Sequence, residues 1–241
     1  MTGDGHYWNR ECFEGLVALA HELRADRRLA ELAEYCELRE KGVRGPAFAA
    51  LDRFIEATLA LPETERREVV LRVLAAHERV PAAHTFLSQP LRARLVEPVL
   101  VQWSEAEPAS AIPVTELGLL RRERVLLERA LELDPSSERL RFGLAALDLA
   151  HVDFLTHHLV EGRLLGAPED AESALVEAER LVSGVTQCER KVALLGEVAS
   201  FRALLADFAE YSSDPRGAFP DWCRERGREH RFFHVVYYSS R

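Results

Sequence analysis

Between Ala150 and Leu159 the chain gathers three histidines and an aspartate: His151, Asp153, His157 and His158. Imidazole nitrogens and carboxylate oxygens bind divalent metals and move protons near neutral pH, so this stretch has the residue types most suggestive of chemistry. On a helix, His151 and His158 stand seven residues apart on one side, and Asp153 and His157 form an i, i+4 pair on another. A metal centre needs several donors converging on one point; this spacing supplies two, and no third or fourth ligand is identifiable. His151 and His158 also continue a stripe of Leu140, Leu144, Leu147 and Phe154. They therefore read more readily as hydrogen-bonded residues at a helix interface, with Asp153 and His157 as a surface pair. On these grounds no metal ligand, cofactor-binding residue or catalytic residue is assigned, and whether His151, Asp153, His157 and His158 are more than structural stays open.

Established motifs are missing elsewhere. His21-Glu22 and His77-Glu78 begin as H-E-x-x-H does, but Ala25 and Pro81 occupy the second histidine positions. No Glu-x-x-His pair of the di-iron bundle type occurs. There is no G-x-S-x-G elbow, no local signature of an activated cysteine, no P-loop and no dinucleotide fingerprint. An enzyme is not indicated, although residues distant in sequence can still assemble in space.

Composition supplies the frame that must hold these residues. Of 241 residues, 47% are hydrophobic and 29% charged, enough for both a core and a solvated surface. Ala, Leu, Glu and Arg dominate, which favours helix over strand. The formal net charge of -9 argues against general nucleic-acid binding, because neutralising phosphates needs a basic face. Lysine occurs only at positions 41 and 191, the arginine-rich balance a GC-rich bacterial genome encodes. The first six residues lack the basic and apolar regions of a secretory signal, and no charge-free run has the length of a membrane span. Cys12, Cys36, Cys188 and Cys223 form no C-x-x-C pair and read as reduced, mostly buried thiols in a cytoplasmic protein.

Helical periodicity runs almost from end to end. Phe13, Leu16, Val17, Ala20 and Leu23 form one stripe, and Leu29, Leu32, Ala33 and Cys36 a second. After breaks at Gly42 and Gly45-Pro46, Phe48, Leu51, Ile55 and Leu59 form a third; Val69, Val70, Val73 and Leu74 follow Pro62. Pro81, Pro90, Pro98, Pro108 and Pro113 allow only short helices in the middle, around 82–88 and 91–104, with residues 105–113 as a linker or loop. Thr115 is expected to cap a helix running to about Leu133. Asp134–Ser137 stops and restarts the chain, and Ala171, Ala174, Leu175, Ala178 and Leu181 mark a further helix. Thr186 and Glu189 have capping-box spacing, ahead of an amphipathic run of Leu194, Val198, Phe201, Leu205 and Phe208. Asp214–Gly217 reads as a turn. The aromatic end, with Trp222, Phe232, Phe233, Tyr237 and Tyr238, contains a strand-forming segment over 231–238 that should dock on the body, complete a hairpin or meet a partner.

These readings give an all-α fold of stacked antiparallel helix pairs, as a solenoid or an irregular bundle, with a short β segment at the C-terminus. The organisation expected is an N-terminal helical subdomain at 1–104, a linker at 105–113, a second helical subdomain at 114–212 and an aromatic extension at 213–241. Within it, Ala50, Phe54, Ala57 and Pro62 have the spacing A-x3-F-x2-A-x4-P. This resembles the second half of a tetratricopeptide repeat, which would make 31–64 one helix–turn–helix unit. The run from Leu127 through Ala130 to Pro135, within 115–137, resembles the close of another. The Trp and Leu-Gly positions of the family's first helix are absent from 31–64, and Pro108 and Pro113 would interrupt the first helix of the second. The resemblance implies a non-catalytic protein-interaction module and names no ligand.

The expectation is accordingly a cytoplasmic adaptor, or an immunity or antitoxin-type protein that meets a basic partner through its acidity. No cofactor and no membrane contact are expected, and the partner's identity and the oligomeric state are left open. The alternative is a metal- or small-molecule-dependent helical enzyme built on the His151–His158 cluster.

Overall fold

The computed structural model describes residues 10–80, 83, 85–186, 188–230 and 232, the side chains of 10–14 aside. Regular structure among the described residues is entirely helical. Among the described residues no helix is long and apolar enough to cross a membrane. The strand expected over 231–238 lies, Phe232 apart, outside the described residues. The chain divides into two compact units, Met1–Leu117 and Gly118–Arg241.

The first unit is laid down as α1 (Arg10–Leu23), a 3-10 turn (Arg27–Leu29), α2 (Ala30–Glu40), α3 (Arg44–Leu59) and α4 (Glu63–Arg79). Short connections make successive helices antiparallel neighbours, and α1 packs on α2 as α2 does on α3. Leu16, Leu19, Ala20 and Leu23 of α1 are buried, while Val17 turns out to solvent. The α2–α3 turn passes through Gly42 at φ +72°, a left-handed conformation that costs glycine nothing. Across it, residues 31–64 form a helix–turn–helix in which Ala50 and Phe54 are buried and Ala57 is exposed. Tyr35, fully buried on α2, satisfies its hydroxyl by donating to the Thr85 carbonyl at 3.3 Å.

The proline-rich middle is more regular than its composition suggests. Ala83 and Thr85–Ser88 form turns rather than the short helix expected at 82–88. One helical stretch follows as α5 (Gln89–Leu91), a π turn (Arg92–Val96) and α6 (Glu97–Ala106). Pro90 occupies a first-turn position, where an amide hydrogen has no partner to lose, whereas Pro98 falls inside the stretch. The π turn arises where Pro98 has no N–H to offer the Arg94 carbonyl, and the Glu97 amide reaches back five residues to Arg92. The interval 105–113 holds only a four-residue turn, since α6 ends at Ala106 and α7 (Ala111–Arg121) takes Pro113 into its first turn. α7 breaks at Arg122, so the long helix expected from Thr115 to Leu133 is two.

The second unit contains α8 (Arg124–Leu133), α9 (Glu138–Thr156), a 3-10 turn (Leu159–Glu161), α10 (Pro168–Ser183), α11 (Glu189–Ser213) and α12 (Phe219–Glu225). Its core runs between α9 and α10, where Ala171, Ala174, Leu175, Ala178 and Leu181 present the small and branched face read from the sequence.

Candidate functional site

α9 begins at Ser137, whose hydroxyl accepts from the Leu140 amide at 3.4 Å, and ends where Thr156 donates back to the Val152 carbonyl at 2.9 Å. Its buried face is Leu140, Leu144, Asp148, Val152 and Leu155. This corrects the sequence reading: the stripe through Leu147, His151 and Phe154 turns outward, with Phe154 57% exposed. Asp148 misleads the periodicity because it is a charged residue inside. One oxygen takes an ion pair from Arg124, while the other is buried without a hydrogen bond. Burial pushes its carboxyl above the usual range, against the pull of Arg124.

The four residues of the histidine stretch part company. His151 is exposed. His158 points along the surface, its Nδ1 3.0 Å from a Glu161 oxygen. His157 donates from Nδ1 to the Phe154 carbonyl at 2.6 Å, and its ring lies tilted against that of His158 with centroids 4.1 Å apart. Asp153 and His157 share a small cavity of about 30 Å³ with Phe201 and Phe232. Among the described residues the stretch brings no three donors to one point.

Asp153 also faces a larger open groove of about 410 Å³ between α9 and α11. Ala146 and Ala150 on α9 and Ala193 on α11 leave this space because methyl groups cannot fill it, and Leu149, Leu194 and Phe201 supply its apolar lining. Asp153, Arg190 and Glu197 set both signs of charge along its walls. α11 is 25 residues long, yet Leu194, Val198, Leu204 and Tyr211 are its only buried side chains. Phe201, Leu205 and Phe208 of its apolar stripe are half-covered, and Val192 is 56% exposed. The start of α11 also differs from the capping box expected. Cys188 is the N-cap residue, and Thr186 instead donates through its amide (2.8 Å) and hydroxyl (2.7 Å) to Glu138 at the head of α9. Those two bonds hold the Glu138 carboxyl below the usual range.

Beyond α11 the chain folds back on itself. Tyr211 donates its hydroxyl to the Gly217 carbonyl at 2.8 Å, closing the turn at 214–217 and starting α12. Phe219, Trp222 and Cys223 of α12 are buried against Leu159, Leu204 and Tyr211, and Phe232 packs edge-on to Phe219 with centroids 5.6 Å apart. Trp222 and Phe232 are thus part of this packing, whereas Phe233, Tyr237 and Tyr238 lie outside the described residues.

This fold-back assembles a group that sequence reading did not find. Asp207 of α11, Cys223 of α12 and His230 beyond it each place one donor atom within 4.8 Å of the other two. His230 Nε2 is 2.6 Å from Asp207 Oδ2, and Arg228 pairs with Asp207 Oδ1 and, at 2.8 Å, with Glu210. Burial pushes the Cys223 thiol upward, and it is 1% exposed, conditions opposite to those of a cysteine nucleophile. The spacing from 207 to 223 to 230 fits no local motif, so only the tertiary turn could reveal it. No known protein family, curated protein or solved structure matches the chain.

Proposed function

We propose that this chain is a non-catalytic protein-interaction module that binds an amphipathic segment of a partner protein in the α9–α11 groove. The observation carrying this reading is the groove itself, an open apolar trough with charges of both signs beside it, bordered by a long helix whose apolar stripe is only half covered. An amphipathic helix laid there would complete the burial of Phe201 and pair its polar flanks with Arg190 and Glu197. The net charge of -9 favours a basic partner. The specific form we favour is an immunity or antitoxin-type protein of a bacterial cell, working in the cytoplasm on a basic toxin. A tetratricopeptide-like stacking of α2 and α3 would belong to the same class of module.

Ala146 and Ala193 are solvent-exposed, so long charged side chains at these positions fill the groove without entering the core. The expected outcome for Ala146→Arg and Ala193→Glu is loss of a partner co-purified stoichiometrically from source cells, with helicity and Tm unchanged. A partner retained equally by both variants, or no stoichiometric partner for the unaltered chain, would overturn the proposal.

A further inference from the structure

We propose that Asp207, Cys223 and His230 form a binding site for a single divalent transition metal of the zinc type. Their three donor atoms, a sulfur, an imidazole nitrogen and a carboxylate oxygen, are the set that zinc selects, and they lie within 4.8 Å of one another. Zinc bond lengths of about 2.0–2.3 Å imply separations of about 3.3–3.8 Å between tetrahedral ligands. Filling the site therefore opens the 2.6 Å His230–Asp207 contact by under about 1.2 Å and draws the sulfur in, changes within the reach of side-chain rotation.

A second observation points to a ligand. Cys223 is 1% exposed, its sulfur has no hydrogen-bond partner among the described residues, and it is aimed at the Asp207–His230 pair. A buried thiol that merely filled space would need no such companions. Arg228 holds Asp207 Oδ1, which leaves Oδ2 to face the imidazole; carboxylate ligands are commonly oriented in this way by outer hydrogen bonds. Charge also balances. The thiol loses its proton to solvent as the sulfur–metal bond forms, and thiolate and carboxylate together neutralise a divalent ion. Asp207 and His230 side chains retain 14% and 10% exposure, so an ion can enter from their side and a water can take the fourth position.

Acyl-transfer chemistry by the same three residues fits less well. Neither the α9–α11 groove nor the small cavity beside it is lined by Cys223, which is 1% exposed among the described residues.

Cobalt(II) added to the full, untagged chain after chelator treatment provides the test. We expect one equivalent to bind, with a near-ultraviolet thiolate-to-cobalt charge-transfer band and the intense visible bands of a tetrahedral centre. Cys223→Ser should abolish the charge-transfer band, and His230→Gln should weaken binding by at least about 100-fold, more than loss of an outer-shell partner costs. Cys188→Ser, which removes an exposed thiol, should change neither. Zinc should raise the Tm of the unaltered chain and not that of Cys223→Ser. Because Cys223 is buried, its variant counts only with native far-ultraviolet circular dichroism; if it fails to fold, the decision passes to His230→Gln. A natively folded chain without the charge-transfer band, a band lost with Cys188 rather than Cys223, or unaltered affinity in His230→Gln would each overturn the proposal.

Discussion

Asp148 is the residue at which charge and burial are most directly opposed. It sits on the inner face of α9, 5% exposed, with Arg124 at one oxygen and nothing at the other. A folded-state carboxyl raised above its ordinary value of 3.8 adds stability while it is protonated, and that stability is lost as pH rises through the raised value. Asp148→Asn keeps the shape and removes the titration. The variant should therefore gain stability relative to the unaltered chain as pH climbs from about 4 towards neutrality. At pH 7 it should be at least as stable, because Arg124 keeps Glu128 and remains 38% exposed to water. Urea denaturation of both proteins across this range measures the difference; a gap moving in the opposite direction would mean that the Arg124 pair outweighs burial.

Elements meet most tightly where glycine permits it. A Cβ on Gly118 of α7 would lie 2.6 Å from Leu127 Cδ2 and 3.1 Å from the Leu127 backbone nitrogen on α8. Because backbone as well as a side chain stands in the way, Gly118→Ala should destabilise by about 1–3 kcal/mol despite alanine's better helix propensity. Gly196→Ala on α11, with nothing within 4 Å of the added carbon, should instead be neutral or stabilising by up to about 1 kcal/mol. Thermal denaturation of the pair checks both signs. The same scale explains what was legible in the sequence. Stripes of one residue class, such as Ala171 to Leu181 on α10, determine a buried face unambiguously. α9 does not, because it is apolar on more than half its circumference and its inner face includes a charged residue, so periodicity selected the outer stripe. Helix ends in the proline-rich middle are hard to read from sequence for a related reason: Pro90 and Pro113 stand in first turns, and a π turn absorbs Pro98. The His151–His158 stretch was visible because its residues are neighbours in sequence. Asp207, Cys223 and His230 were not, since they converge only after the turn that Tyr211 closes on Gly217.

At the scale of the whole molecule, each compact unit has its own apolar interior, with Leu51 and Phe54 at 0–1% exposure in the first and Leu175 and Ala178 at 0% in the second. The outside is a lattice of arginine–carboxylate pairs, among them Arg53 with Glu31 and Glu34, and Arg202 with Glu172 and Glu179. Such exposed pairs contribute little each, about 0–1 kcal/mol, so the lattice serves solubility more than stability. What it does not neutralise is the net charge of -9. Under the proposed function that excess acts at a distance, because unpaired carboxylates would attract a basic partner before any contact forms, whereas seating in the α9–α11 groove would depend on short-range burial. The two contributions separate kinetically. Raising ionic strength from about 0.05 to 0.5 M shortens the screening length from roughly 14 Å to 4 Å, so the association rate constant of the groove partner should fall by about tenfold or more. The dissociation rate constant, governed by apolar contact with Phe201 and Leu149, should change by less than about threefold. Stopped-flow association and competition-based dissociation measure the two separately. A rate of association indifferent to salt would mean that the partner is not basic, while a dissociation rate that rises as steeply as association falls would place the binding energy in surface charge and remove the groove from the account.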